Sequence, residues 1–331
     1  MRKLRTSPKV LTSFLLSKMK KIKFSIIVPI YYNELNLPVT YPRLIALEKQ
    51  IPGIELELVF VDDGSGDKSL SVLQEIQAKD SRVKVVKLAR NFGSFNAILA
   101  GLHYATGDCV GIISADLQDP PELFEQMIED WRKGKKTVMA VRQDREDPWA
   151  TKLFANVFYG ALRKVALPSM PKGGFDFVLI DRQVVEVLKQ MHEKNTSIMA
   201  LIAWLGFDHS EIGYVRAERR IGKSRWTFSK KFKLMIDMFT SFSFFPIRAI
   251  STLGVIIAVI SFLYGAWLMH LRFVNGIDVE GWTSMVVLVL FLSGFQLISL
   301  GIIGEYLWRN FDESRKRPPY IVEHVFEKHA E

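Results

Sequence analysis

The sequence has a single cysteine, Cys109, in 331 residues. A disulfide scaffold needs paired cysteines, so that class is excluded, and the lone thiol is expected to be a small buried hydrophobe. Glycine (21) and proline (13) are too sparse for a collagen-like or low-complexity chain. No G-x-G-x-x-G follows the first apolar run, so the dinucleotide-binding fingerprint is missing. With 49% hydrophobic residues, the chain is also too apolar to be disordered.

Positive charge is concentrated in two segments of this chain, whose net charge is +9. Residues 1–21 form a basic N-terminal extension that has no acidic side chain. Residues 216–248 form a basic, amphipathic segment that leads into a long apolar stretch. Basic side chains beside a membrane are attracted to anionic head groups, by about 1 kcal/mol each. Because no nucleic-acid-binding motif accompanies the charge, we expect a membrane partner and no nucleic acid.

Two long apolar stretches near the C-terminus predict transmembrane helices. They cover residues 249–271 and 282–308, and Glu305 is their one charged side chain. About 20 apolar residues in a helix cross a ~30 Å hydrocarbon core. A pair of buried core helices is the alternative. The loop 272–281 is poor in basic residues and the tail 309–331 is rich in them, so the positive-inside rule places the loop outside and the tail and N-terminal part in the cytoplasm.

Residues 22–215 alternate between apolar runs and amphipathic segments. The apolar runs are rich in β-branched residues and predict buried strands at 24–30, 56–61, 83–88, 110–113 and 137–141. The intervening periodicity predicts helices at about 36–50, 67–79, 94–105 and 121–133. This alternation predicts an α/β domain with a mostly parallel, Rossmann-like sheet. Such sheets bind their ligands at the carboxyl ends of the strands.

Acidic and amide side chains follow four of the predicted strands. The four motifs lie at 31–34 (YYNE), 62–67 (DDGSGD), 90–93 (RNFG) and 114–122 (SADLQDPPE). Asp116 and Gln118 are two residues apart, so in extended backbone both side chains point to one side. Such a pair of oxygen ligands suits Mg²⁺ or Mn²⁺, which complete their shells with phosphate and water, and a diphosphate ligand follows. Each motif alone is also typical of a capped turn, which is the alternative.

The order of these motifs, followed by two C-terminal spans, resembles glycosyltransferase family 2 with its GT-A fold. More narrowly, the chain is similar to the polyprenyl-phosphate glycosyltransferases of the GtrB type, relatives of dolichyl-phosphate mannose synthase. The resemblance covers about residues 22–325. Its most specific parts are residues 115–122 (ADLQDPPE) and 300–307 (LGIIGEYL).

On the donor side, the resemblance implies a nucleotide-sugar pocket and a metal, Mg²⁺ or Mn²⁺. The residues implied in the pocket are Pro29, Tyr31, Glu34, Asp63 and Asp116. Asp116 and Gln118 would hold the metal on the diphosphate. Asp176 matches a family aspartate that is a catalytic candidate together with Asp116. A cap of a helix over 181–191 is the alternative role for Asp176.

On the acceptor side, residues 219–226 resemble the family pattern R-x-x-G-x-[ST]-[KR]-W, which contacts the acceptor phosphate. The residues implied in this contact are Arg219, Arg220, Lys223, Ser224 and Arg225. Simple adhesion of these basic side chains to the membrane is the alternative, and both roles can coexist.

Three positions depart from the family pattern. Ser114 replaces an aspartate, which removes one carboxylate near the metal, and Val178 replaces an arginine, which removes one cation. Either Asn33 or Glu34 fills the place of the family glutamate. These departures support an alternative of a different class, a non-catalytic membrane scaffold that kept the fold.

The resemblance implies inverting transfer of a sugar, with glucose from UDP-glucose as the favoured choice, to undecaprenyl or another polyprenyl phosphate. It would occur at the cytoplasmic face of the inner membrane and supply cell-envelope glycan modification. A phosphate monoester is largely an anion at pH 7, so the acceptor needs no strong general base. An enzyme that uses GDP-mannose, like dolichyl-phosphate mannose synthase, is the alternative. The resemblance also implies a homo-oligomer.

Overall fold

The computed structural model describes residues 21–116, 118–143, 158–164, 166–191, 193, 196–217, 228–274 and 281–328. The chain divides into two compact units. The first unit contains Met1–Lys231 and Pro318–Glu331, and the second contains Phe232–Arg317. Residues 1–20 of the predicted basic extension lie outside the described residues.

Eight strands form one sheet in the first unit. They are β1 (Ile22–Ile30), β2 (Ile54–Asp62), β3 (Val83–Leu88), β4 (Cys109–Ile112), β5 (Thr137–Arg142), β6 (Phe177–Asp181), β7 (His209–Tyr214) and β8 (Val322–Phe326). Their order across the sheet is β7-β5-β6-β4-β1-β2-β3-β8. Only β6 and β8 run antiparallel to their neighbours. The predicted α/β fold with a mostly parallel sheet is therefore confirmed.

Six helices accompany the sheet, and three more lie in the C-terminal part of the described chain. The first six are α1 (Leu37–Gln50), α2 (Ser69–Lys79), α3 (Ser94–Tyr104), α4 (Phe124–Arg132), α5 (Arg182–Lys189) and α6 (Ile198–Trp204). The last three are α7 (Phe228–Phe242), α8 (Phe245–Phe273) and α9 (Trp282–Ser314). A short 3₁₀ turn at Pro121–Leu123 precedes α4. Residues 158–164 are also helical.

Aromatic packing fixes the end of β4, from which the 114–119 turn begins. Phe124 on α4 packs edge to face against Phe24 and Phe177, with ring centroids 5.1 and 4.7 Å apart. A Cβ at Gly111 would lie 2.3 Å from the Phe124 ring, so the strand needs glycine there. Cys109 is fully buried in the same strand, as predicted, and burial raises the pKa of its thiol.

The C-terminal tail returns to the first unit as an edge strand. β8 pairs antiparallel with β3, and Val325 lies opposite Val86. Lys87 forms an ion pair with Glu323 at 2.9 Å across this pairing. The residues on both sides of the segment 232–317 therefore belong to the same folded unit.

The second unit contains two helices that are long and apolar enough to cross a membrane. These stretches are Phe245–Leu271 and Ser284–Ser314, and the most apolar 18 residues of each have mean hydropathies of 2.1 and 2.5. The most apolar part of each helix has no buried residue, so the alternative of two buried core helices is wrong. Arg309 on α9 pairs with Asp237 on α7 at 2.5 Å, which ties the amphipathic helix to the second span.

Candidate active site

The turns after β1 and β2 are bound to each other at the carboxyl edge of the sheet. The Asn33 N–H donates to Ser69 Oγ at 2.8 Å, and the Lys68 N–H donates to the Glu34 carboxylate at 2.9 Å. The Asn33 side chain accepts from the Tyr31 N–H at 3.0 Å. Asn33 and Glu34, the two candidates for the family glutamate position, thus both hold this pair of turns together. Pro29 and Tyr31 are half-buried at the same edge.

Asp63 follows β2 and fixes a loop that is distant in sequence. Its carboxylate accepts from the backbone N–H groups of Phe92 at 2.6 Å and Gly93 at 2.9 Å, and from the Asn91 amide at 3.0 Å. The residue is 2% exposed. A carboxylate buried to this degree costs free energy unless it accepts such bonds. The structure therefore places Asp63 at the predicted edge and engages it with the 91–93 loop.

Asp63 leads to a prediction about stability and pH. Burial raises its pKa to about 6, although the N–H groups of Phe92 and Gly93 lower it. Its ordinary pKa is 3.8, so between about pH 4 and pH 6 the folded protein holds a proton that the unfolded chain has released. The stability contributed by this group must then fall as pH rises through that range. Thermal unfolding of wild type and Asp63→Asn checks this expectation. The difference between their melting temperatures, wild type minus variant, should decrease as the pH rises from about 4 to about 6. A difference that stays constant over that range would contradict the prediction.

The turn after β4 brings hydroxyl, carboxylate and amide side chains together. Ser114 Oγ lies 2.7 Å from Asp116 Oδ1 and 3.1 Å from Asp119 Oδ2, and its one proton can be donated to either carboxylate. Asp116 Oδ1 also accepts from the Gln118 N–H at 3.3 Å. The Gln118 amide donates to the Ala217 carbonyl at 3.3 Å. Asp116 and Gln118, the predicted metal ligands, are thus neighbours in one turn.

The oxygen ligands of this turn fit a metal ion that is shared with a substrate. Among the described residues, there is no group of three or more His, Cys, Asp or Glu side chains that could hold a metal ion. Mg²⁺ commonly takes only one or two protein carboxylates and fills its octahedral shell with phosphate oxygens and water. The carboxylate of Asp116 and the amide oxygen of Gln118 suit that role. They do not suit a permanent structural ion.

Asp176 lies directly before β6, at the same edge of the sheet. In the sheet, β6 places Val178 opposite Ile112, the last residue of β4, and Phe177 opposite Ala140, so Asp176 lies beyond the end of β4 and beside the last residues of β5. Its side chain is 61% exposed and forms an ion pair with Arg142.

The alternative role for Asp176, a helix cap, is wrong. Asp181 caps α5, because its carboxylate accepts from the Gln183 N–H at 2.9 Å. Asp176 is separated from that helix by the whole of β6. The exposed carboxylate of Asp176 therefore lies at the carboxyl edge and pairs with Arg142 there.

Three residues that the sequence analysis did not single out join these groups. The Tyr214 hydroxyl donates to Asp119 Oδ1 at 2.5 Å and accepts from Arg142 Nε at 3.5 Å. Arg216 Nε lies 3.4 Å from the same Asp119 oxygen. Burial, together with the negative charge of Asp119, raises the pKa of Tyr214, so its hydroxyl keeps its proton at neutral pH. Two arginines and a buried carboxylate thus lie between Asp116 and Asp176.

One of the missed residues carried a usable signal. Arg142 comes directly after the predicted strand 137–141, and the strand-end rule that identified the other motifs applies to it equally. Tyr214 and Arg216 had no such signal, because β7 (HSEIGY) alternates with polar residues and was not predicted. Asp119 lies in a sequence that is typical of a turn, and that sequence does not indicate the hydrogen bond to Tyr214.

The predicted acceptor-phosphate ligands lie outside the described residues. They are Arg219, Arg220, Lys223, Ser224 and Arg225. The segment that leads to them runs beside the 114–119 turn, since the Ala217 N–H donates to the Gln118 carbonyl at 2.9 Å. The chain therefore enters its basic segment at the edge of the sheet that carries Asp116.

Comparison with known proteins gives long matches along the chain. The model of the family "Glycosyl transferase family 2" matches residues 25–189. An uncharacterised glycosyltransferase of Bacillus subtilis is 40% identical over 92% of this chain and 94% of its own length. The bactoprenol glucosyl transferase of Shigella phage SfV is 38% identical over 93% of this chain and 100% of its own length. A prophage bactoprenol glucosyl transferase homolog of Escherichia coli is 37% identical over 92% and 99%.

Solved structures match more weakly. The mannosyltransferase of Pyrobaculum calidifontis, in complex with GDP-Man and Mn²⁺, covers 70% of both chains at 17% identity and a TM-score of 0.47.

Proposed function

Because this chain belongs to glycosyltransferase family 2, we propose that it transfers glucose from UDP-glucose to a polyprenyl phosphate. The observation that carries this proposal is the meeting of Asp116, Asp176 and the start of the basic segment at one edge of the sheet. Near-full-length relatives named bactoprenol glucosyl transferase support the choice of glucose and of the lipid. The two candidate membrane spans support a lipid acceptor.

On the donor side, the turns after β1 and β2 form the nucleotide-sugar pocket. Pro29, Tyr31 and Glu34 line it, and Asp63 holds the 91–93 loop against it. Asp116 and Gln118 would hold Mg²⁺ or Mn²⁺ on the diphosphate. When bound, this ion stabilises the negative charge of the leaving nucleoside diphosphate.

On the acceptor side, the enzyme must bring two anions together. A lipid monophosphate is largely ionised at pH 7 and attacks the anomeric carbon itself, so direct displacement inverts that centre. Arg142 and Arg216 supply positive charge among the described residues, and Arg219 and Arg220 add more in the sequence. Asp176 orients the acceptor through its ion pair with Arg142.

The return of the tail to the sheet supports a two-span topology. Residues before Phe232 and after Arg317 belong to one folded unit, so the segment between them crosses the membrane an even number of times. The chain has two candidate spans. With basic residues in the tail, the positive-inside rule puts the catalytic domain and both termini in the cytoplasm and the loop 272–281 outside.

Cysteine labelling tests this topology, and the natural Cys109 can stay in the protein. Cys109 is buried, and its raised thiol pKa makes it a poor nucleophile, so it adds little signal. On intact cells, a membrane-impermeant maleimide should label Asp278→Cys. Lys328→Cys should react only after the membrane is opened. The reverse pattern would place the catalytic domain outside and refute the topology.

A donor panel tests the proposed reaction. Purified protein in detergent, with undecaprenyl phosphate and Mg²⁺ or Mn²⁺, should release nucleoside diphosphate from UDP-glucose. Release from GDP-mannose instead would favour the alternative related to dolichyl-phosphate mannose synthase. Release from no donor, by folded protein, would favour the non-catalytic scaffold.

The two substitutions that favour a scaffold have local explanations in the structure. Val178 is fully buried between β4 and β5, and the positive charge at this edge comes from Arg142 and Arg216. Ser114 contacts two carboxylates. The homo-oligomer implied by the family resemblance stays a prediction.

A further inference from the structure

We propose that Ser114 and Tyr214 are positioning residues that couple the donor-side carboxylate Asp116 to the acceptor-side carboxylate Asp176. This inference rests on the proposed function, because it takes Asp116 and Asp176 to serve the two substrates. It adds a role for Ser114 where the family pattern has an aspartate.

The first half of the connection lies within the turn after β4. Ser114 Oγ is 2.7 Å from Asp116 Oδ1 on one side and 3.1 Å from Asp119 Oδ2 on the other. Asp116 is half-buried, whereas Asp119 has no exposed surface. The serine hydroxyl thus joins an accessible carboxylate to a buried one.

The second half crosses from β7 to β5. The Tyr214 hydroxyl donates to the other oxygen of Asp119 at 2.5 Å and lies 3.5 Å from Arg142 Nε. The Arg142 guanidinium then pairs with Asp176. Tyr214 is 6% exposed, so the connection is buried in its middle and accessible at its two ends.

Burial makes the middle of this connection specific. A fully buried carboxylate such as Asp119 is held where its hydrogen-bond donors are, because an unpaired position is costly in a low-dielectric interior. The described hydrogen-bond donors to Asp119 are Ser114 and Tyr214, and Arg216 forms an ion pair with it at 3.4 Å. A shift of the turn that carries Asp116 therefore also moves Asp119. Because Asp119 is bonded to Tyr214, the shift reaches Arg142 through the Tyr214 hydroxyl.

Ser114 suits this arrangement better than the aspartate of the family pattern. A hydroxyl donates a proton, whereas an ionised carboxylate only accepts. An aspartate at this position would place a third negative charge against Asp116 and Asp119, and like charges in contact repel. Ser114→Asp, which restores the family residue, should therefore lower the activity of this chain.

The central experiment compares Tyr214→Phe and Ser114→Ala with wild type in steady-state glucosyl transfer. Removing a residue that positions catalytic groups typically costs about 10-fold to 100-fold in activity. We expect a fall of about that size in kcat for each variant, with KM for UDP-glucose changed less than about threefold. The double variant should lose less than the product of the two single losses, because either change already breaks the connection. Ser114→Thr, which keeps a hydroxyl, should recover most of the rate.

Tyr41→Phe is the matched control. The Tyr41 hydroxyl also donates to an aspartate, Asp80 Oδ2, at 2.8 Å, but this pair joins α1 to the turn before β3. Tyr41→Phe should lower the melting temperature without changing kcat. Equal kcat values for Tyr214→Phe and wild type would overturn the proposal. Higher activity of Ser114→Asp than of wild type would also overturn it.

Thermal unfolding gives a readout that does not depend on activity. Ser114→Ala and Tyr214→Phe should lower the melting temperature non-additively, since both act on Asp119. If wild type transfers no sugar at all, the proposed function fails, and this coupling still decides whether the two residues are connected. Additive losses in melting temperature would then overturn the connection.

Discussion

Asp116→Asn is expected to leave the protein folded and to lower glucosyl transfer by about 100-fold or more. Asp116 is half-buried in the turn after β4, and its carboxylate is the one ionised group of the predicted metal pair. The asparagine keeps the shape of the side chain but loses the charge that would hold Mg²⁺ or Mn²⁺ on the diphosphate. The measurement is nucleoside diphosphate release with a lipid phosphate acceptor.

Asp208→Asn is the control for this variant. Asp208 is exposed, pairs with Lys135 at 2.9 Å and lies before the start of β7, at the amino edge of the sheet. The same substitution there should leave transfer unchanged. Asp116→Asn should also weaken the affinity for UDP more in the presence of Mg²⁺ than in its absence, as measured by calorimetry. A rate within a few-fold of wild type would remove Asp116 from the site.

Asp176→Asn is expected to lower kcat by about 100-fold, the cost of a misplaced acceptor, and to leave the affinity for UDP unchanged. Asp176 lies at the carboxyl edge, and its pairing with Arg142 places it on the acceptor side of the proposed reaction. The amide cannot hold the guanidinium as the carboxylate does, so the acceptor phosphate loses its orientation. Steady-state kinetics with varied lipid phosphate, together with calorimetry for UDP, separate the two effects.

Glu186→Gln is the matched control, because it removes an arginine–carboxylate ion pair that lies away from the site. Glu186 on α5 pairs with Arg182 at 3.3 Å and is 51% exposed. This variant should transfer glucose at the wild-type rate. If Asp176→Asn behaved in the same way, the assignment of Asp176 to the reaction would be wrong.

Local sequence pattern was sufficient to predict the first five strands. β1 to β5 lie within two residues of the predicted runs, because each is a short, buried, β-branched segment between turn motifs. β8 could not be predicted in this way. It is a five-residue edge strand, VEHVF, and it forms only because β3 offers an open edge more than two hundred residues earlier in the chain.

The strand-end rule placed the main candidate residues at the correct edge of the sheet, but it could not assign their partners. The family resemblance implies Asp63 in the nucleotide-sugar pocket, and the structure engages its carboxylate with the 91–93 loop. Ser114 was interpreted as a lost carboxylate, and the structure shows a hydroxyl between two aspartates. Such contacts depend on which loops meet after folding, and the spacing within each motif carries no information about them.

The most direct test of the account is transfer of radiolabelled glucose from UDP-glucose into an organic-extractable lipid. Wild-type protein in detergent, given undecaprenyl phosphate and Mg²⁺ or Mn²⁺, should form a labelled lipid that requires both the lipid phosphate and Asp116. Label that stays in the aqueous phase with wild-type protein, shown to be folded by thermal unfolding, would contradict the proposed polyprenyl-phosphate glucosyltransferase.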